Sequence, residues 1–210
     1  MKTPRSMDLA VTGGCNLRCT YCSHFESAGD VGRDLSGEEW LRFFEELNRC
    51  RVLSVTLQGG EPFSREDLRE LIQGIVRNRM RFDILSNGTL ITDEWADFLS
   101  STGRCNGVQV SIDGAGPQAH DAFRGKGSFQ RAIRGIEALR RGDLPFTVRV
   151  TVHRENVRRL EEIAEFLLED MGLRGFSTNS ASFFGLCRNP AERVQLTVEE
   201  HSLAMETLLR

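Results

Sequence analysis

Three cysteines, Cys15, Cys19 and Cys22, fall within the nine-residue segment Gly14-Cys15-Asn16-Leu17-Arg18-Cys19-Thr20-Tyr21-Cys22. Thiolates spaced by four and three residues in one short loop can wrap a compact inorganic centre. Soft sulfur suits either an iron-sulfur cluster or zinc. A cubane cluster normally takes four protein ligands, so three would leave one iron open to a substrate or cofactor, much as a catalytic zinc keeps one position free. On spacing alone, a structural zinc knuckle with His24 as fourth ligand stays open as the alternative.

A second group of reactive types is Gly59-Gly60-Glu61-Pro62. Two glycines let backbone approach a ligand closely, and a carboxylate accepts charge-assisted hydrogen bonds from an ammonium group. The same four residues also fit an ordinary turn. Ser86-Asn87-Gly88 and Ser111-Ile112-Asp113-Gly114 offer hydroxyl, amide and carboxylate groups, while Arg149 and Arg124 each offer the planar fork that favours a carboxylate. His24, His120, His153 and Cys187 complete the candidates; each is equally a satisfied polar group or an ordinary free thiol.

The elements that must position these groups read as repeated β-α units. Short apolar runs, each closed by Gly, Ser, Asn or Asp, alternate with helical patterns. Strands are expected at residues 7–12, 52–57, 82–85, 108–112, 146–152 and 175–178, apolar enough for a parallel sheet buried on both faces. Ser36 with Glu39 and Thr197 with Glu200 fit capping boxes at two helix starts. Leu68, Leu71, Ile72, Ile75 and Val76 form one core stripe; Leu160, Ile163, Ala164, Leu167 and Leu168 form another. The fold expected is α/β, a partial (β/α)6 TIM-like barrel over residues 1–210 as one domain. In such barrels the reacting groups gather where strands end. That rule puts Cys15 to His24, Gln58 to Glu61, Ser86, Asn87, Asp113 to His120, His153 and Asn179 to Cys187 on one face, and Cys50 and Cys105 at the opposite one.

The 27 Lys and Arg residues nearly balance the 30 Asp and Glu, for a formal charge of -3. Nothing in that balance calls for a polyanion, so no nucleic-acid partner is expected. No apolar run approaches the roughly 20 residues that span a bilayer, and no secretion signal is evident near Met1. A cytoplasmic location is expected. Six cysteines in a reducing compartment are poor disulfide candidates, so the tight cluster points to metal binding or redox chemistry.

Cys15, Cys19 and Cys22 match the CxxxCxxC motif of the radical S-adenosylmethionine (radical SAM) superfamily, and Gly59-Gly60-Glu61 resembles its GGE motif. The resemblance implies a [4Fe-4S] cluster on the three cysteines and S-adenosylmethionine at the open iron. It also implies reductive cleavage of the cofactor to a 5′-deoxyadenosyl radical that takes hydrogen from a substrate. By the same resemblance Gly59, Gly60 and Glu61 meet the methionine amino group, Tyr21 lies against the adenine, and Ser86, Asn87, Ser111 and Asp113 approach the ribose and methionine carboxylate. Arg149 is preferred to Arg124 as carboxylate partner. The segment Val110 to Gly114 with His120 to Phe129 is most similar to the peptide-modifying branch that carries a SPASM domain, and Met80 to Thr92 with Gly175 to Ala181 resembles its SynChlorMet cassette members. A ribosomally made peptide is then the expected substrate, with a flavodoxin or ferredoxin as electron donor. The chain stops at Arg210 in an expected helix, so the cysteine-rich auxiliary-cluster domain of that branch is expected to lie outside these residues; no leader-recognition domain is expected before the first strand. A radical SAM enzyme acting on a small cofactor precursor and a non-catalytic iron-sulfur or zinc protein are the competing readings.

Overall fold

A computed structural model describes residues 4–24, 33–188 and 194–209. In chain order the elements are β1 (Ser6–Thr12), α1 (Gly37–Arg49), β2 (Ser54–Gly59), α2 (Leu68–Arg77), β3 (Arg81–Ser86), α3 (Asp93–Ser101) and β4 (Cys105–Ser111). They continue with α4 (Pro117–Arg124), α5 (Ser128–Arg141), β5 (Phe146–Val152), α6 (Leu160–Glu165), β6 (Ser177–Ser180) and α7 (Val198–Leu208). Arg210 lies outside the described residues. The six strands form one sheet in the order β1-β2-β3-β4-β5-β6. Strands β1 with β2, β2 with β3, β3 with β4 and β5 with β6 run parallel. The sheet is not closed, so the α/β fold is the partial (β/α)6 arrangement expected from sequence. Within β1 to β4, the parallel run directs the C-terminal ends to one edge, so the loops after β1, β2 and β3 leave the sheet on the same side.

The chain divides into two compact units. The first comprises Met1–Asn16, Val31–Val110 and Ile133–Phe146. Its core sets the apolar stripe of α2 (Leu68, Leu71, Ile72 and Ile75) together with Phe44 of α1 and with Val55, Leu57, Phe82, Ile84 and Val108 of the strands, all buried. The second comprises Leu17–Asp30, Ser111–Ala132 and Thr147–Arg210. There Val148, Val150 and Val152 of β5 are buried, as are Leu160, Ile163 and Leu167.

Two expectations need correction. Burial on both faces holds in β4, where Val108, Gln109 and Val110 are all buried, but not in β2 and β3, which alternate, with Val55, Leu57, Phe82 and Ile84 buried and Thr56 and Asp83 only partly so. All four residues of β6 are exposed. In β2 and β3 the more polar side chains obey the two-residue period of a strand with one covered face. Leu168 leaves its expected stripe and is 41% exposed. Residues Phe166–Asp170 form a π-helix, closed by Met171 N–H donating to the Phe166 carbonyl at 2.9 Å, and the wider turn changes the phase of the stripe.

Both capping boxes form as read from sequence. The Ser36 hydroxyl accepts from Glu39 N–H while Glu39 reaches back to Ser36 N–H, and Thr197 and Glu200 do the same. Ser36→Ala should therefore destabilise the protein by about 1 kcal/mol, read as a lower midpoint in urea with an unchanged slope.

Candidate cofactor site

In the first unit the Gly-Gly-Glu segment runs along the backbone that leads into Cys15. Gly60 N–H donates to the Thr12 carbonyl and Glu61 N–H to the Gly14 carbonyl, each at 2.8 Å. A Cβ on Gly60 would stand 2.0 Å from the Gly14 oxygen, and one on Gly59, at φ +134°, 2.2 Å from the Thr12 oxygen. The close approach that needs glycine is thus to the chain's own cysteine loop.

Glu61 is fully buried. Its Oε1 accepts from Ser86 Oγ at 2.9 Å and Phe63 N–H at 3.1 Å, and its Oε2 accepts from Asn87 N–H at 2.7 Å. The carboxylate joins the loop after β2 to the loop after β3. Beyond that joint, the Asn87 side chain reaches Asn16 and Cys15: Nδ2 lies 3.0 Å from Asn16 Oδ1 and 3.8 Å from Cys15 Sγ. Cys15 itself is half-buried.

In the second unit the centre is Asp113, also fully buried. Tyr21 OH and Arg124 Nε both donate to its Oδ2, and Thr151 N–H donates to Oδ1 at 2.6 Å. Asn156 Nδ2 donates to the Asp113 carbonyl at 3.1 Å, and Asp113 N–H donates to His120 Nδ1 at 3.2 Å. Burial alone would raise the Asp113 pKa, but the Arg124 charge and the bonds from Arg124 and Tyr21 outweigh it and hold the carboxyl below its usual range. Burial, followed by the facing Asp113 carboxylate and Cys19, pushes the Tyr21 hydroxyl well above its ordinary value, against the opposing pull of Arg124.

The Tyr21 ring packs against His153 and Phe123, with centroids 5.2 Å and 5.9 Å away. Its backbone neighbours are held as well. Thr20 N–H donates to the Phe123 carbonyl at 3.0 Å, Leu186 N–H to the Cys22 carbonyl at 2.8 Å, and the Cys187 thiol to the Tyr21 carbonyl at 2.8 Å. Cys187 is fully buried in a small cluster with Tyr21, Ala181 and Val194. Cys19 and Cys22 are half-buried and His24 is exposed.

Ser111 ends β4 and is half-buried. Arg149 on β5 is half-buried, with Nε 3.4 Å from Ser177 Oγ, whereas Arg124 is committed to Asp113. Cys50 caps α1 and is exposed; Cys105 opens β4, and burial pushes its thiol up to about 12. Sequence reading missed Asn16, Thr89 and Asn156. Asn156 could have been found, since an Asn three residues after His153 is placed to accept that residue's N–H, as it does at 2.8 Å. Among the described residues no three His, Cys, Asp or Glu side chains close on a single metal ion. A four-iron cluster is a wider body than one ion, and three partly exposed thiols on one loop suit it as a donor set.

Residues 9–167 match the family model described as Radical SAM superfamily. The chain is 34% identical over 167 residues to the AdoMet-dependent heme synthase of Methanosarcina barkeri, covering 79% of this chain and 48% of that protein. It is 30% identical over 167 residues to the PqqA peptide cyclase of Bradyrhizobium diazoefficiens, covering 79% of this chain and 44% of that one. Among solved structures, SuiB of Streptococcus suis bound to S-adenosylmethionine superposes with a TM-score of 0.79 over 99% of this chain and 47% of its own, at 16% identity. The chain spans about half the length of the curated relatives it matches.

Two outcomes follow from the buried groups. Asp113→Leu strands the Arg124 cation in the interior and should cost about 3–5 kcal/mol, seen as a large drop in the denaturant midpoint. His120 and His153 are buried, and burial, the first cause in each, lowers them from 6.5 to about 4. Both stay neutral in the folded protein while the unfolded chain takes up protons, so stability should fall as pH drops from about 6.5 to about 4. The slope should be about 1.4 kcal/mol per pH unit for each histidine. Urea midpoints across that window check the trend, and His153→Leu should flatten it.

Proposed function

The chain belongs to the radical SAM superfamily, and from that premise we propose that Cys15, Cys19 and Cys22 hold a [4Fe-4S] cluster whose open iron takes S-adenosylmethionine. When bound, the pair supplies one-electron cleavage of the S–C5′ bond, giving a 5′-deoxyadenosyl radical that takes a hydrogen atom from the substrate. The chain's own groups bind and orient. Gly59 and Gly60 bring the loop after β2 against the backbone preceding Cys15. Glu61 fixes that loop to Ser86 and Asn87. Ser111 and Arg149, both partly exposed, meet the methionine carboxylate and ribose. Tyr21 and Asp113 are spent on each other, and they serve the site by holding the segment that carries Cys22. Residues 1–210 make up the radical SAM core.

The single observation that carries this reading is the joining of the two sequence motifs: the Gly59-Gly60-Glu61 backbone is hydrogen-bonded to Thr12 and Gly14, directly before Cys15. A zinc knuckle needs no such partner. The substrate we infer is a ribosomally made peptide, supported by the similarity to the PqqA peptide cyclase. The similarity to the M. barkeri heme synthase favours a second reading, a small cofactor precursor. No described helix is long and apolar enough to cross a membrane. A cytoplasmic setting, with a flavodoxin or ferredoxin supplying the electron, fits the chemistry proposed.

Anaerobic reconstitution with iron and sulfide, then reduction in the presence of S-adenosylmethionine, should yield 5′-deoxyadenosine from the wild-type chain and none from Cys19→Ala. A fully loaded wild-type cluster that yields no more than the variant contradicts the proposal. Faster turnover with candidate precursor peptides than with porphyrin precursors would support the peptide reading; the reverse would support the alternative.

A further inference from the structure

The amide of Asn87 is buried, 8% exposed, and every polar atom it carries is assigned. Its Oδ1 accepts from Thr89 N–H at 2.9 Å and from the Thr89 hydroxyl at 2.6 Å. That hydroxyl in turn accepts from Asn16 Nδ2 at 2.8 Å. The Thr89 N–H can only donate, so one orientation of the amide is sensible, because reversing it would set an NH2 against that N–H. The Nδ2 group must therefore point the other way. Its two protons face Asn16 Oδ1 at 3.0 Å and Cys15 Sγ at 3.8 Å, within reach for a sulfur acceptor. The backbone behind it is equally fixed. Asn87 N–H is held by Glu61 Oε2 at 2.7 Å, and Gly88 N–H donates to Ser86 Oγ at 2.8 Å.

We propose that Asn87 is a built-in N–H···S donor to the cluster ligand Cys15, and that it raises the reduction potential of the cluster. The inference rests on the reading of Cys15 as a ligand. Its physical basis is simple: an added electron places more negative charge on the ligand sulfurs, and a nearby N–H dipole stabilises that reduced state more than the oxidised one. The donor also cannot swing away to solvent, since Thr89 and Asn16 fix the amide plane. Asn87 is then a tuning group next to the ligand, and its surroundings in Glu61, Ser86 and Thr89 exist to aim it.

The test is an EPR-monitored redox titration of the reconstituted chain, comparing wild type with Asn87→Asp and Asn87→Leu. Asn87→Asp keeps an oxygen for Thr89 but replaces the donor with negative charge; Asn87→Leu removes both. Both midpoints should shift to more negative potential, Asn87→Asp further. A variant that loads its full iron and titrates at the wild-type midpoint overturns the proposal. Should neither variant load, wild-type protein decides the matter. With asparagine 15N-labelled at the side-chain amide alone, the reduced cluster should show a nitrogen hyperfine coupling absent from protein labelled elsewhere, and a wild-type spectrum without it overturns the proposal. Failure of the underlying reading looks different: Cys15→Ala would load a complete cluster with an unaltered spectrum.

Discussion

A carboxylate taken out of water must find donors for its lone pairs, and that requirement organises both units of this protein. Glu61 and Asp113 each follow a strand of the sheet, each is fully buried, and each accepts a backbone N–H from a further strand or its end, Asn87 after β3 and Thr151 in β5. Glu61 draws in Ser86 and Asn87; Asp113 draws in Thr151, Arg124 and Tyr21. Loops that would otherwise be free to wander at the strand ends are tied by charge-assisted bonds, the strongest available to an uncharged backbone. Removing either carboxylate would release several loops at once.

The cysteine segment inherits its shape from these ties. On one side, the backbone before Cys15 lies on Gly59 and Gly60, at a distance only glycine permits. On the other, Thr20, Tyr21 and Cys22 are bonded through main-chain atoms to Phe123, Cys187 and Leu186. The thiols themselves stay partly exposed. On the proposed reading of the cysteines as cluster ligands, such an arrangement orders the loop ahead of binding and lowers its ordering cost.

Much of this was legible in the residues. The six strands, the two capping boxes and the α2 stripe follow from short-range chemistry, hydrophobic period and cap residues, which a linear reading captures directly. What escaped depends on distance in the chain. The bonds from Ser86 and Asn87 to Glu61 span 25 and 26 residues and carry no sequence signal. The Tyr21 partner of Asp113 is equally hidden, lying 92 residues away. Leu168 was misplaced because one π-turn alters the helical phase without any marker residue. Alternating burial in β2 was hidden by Thr56, whose β-branched shape suits a strand on either face.

The central claim is that three thiolates hold a cluster with one iron left open, and Mössbauer spectroscopy of 57Fe-reconstituted protein tests it most directly. One iron of the four should be distinguishable and should change its isomer shift when S-adenosylmethionine is added, the other three holding still. Four irons that remain equivalent and indifferent to S-adenosylmethionine would contradict it.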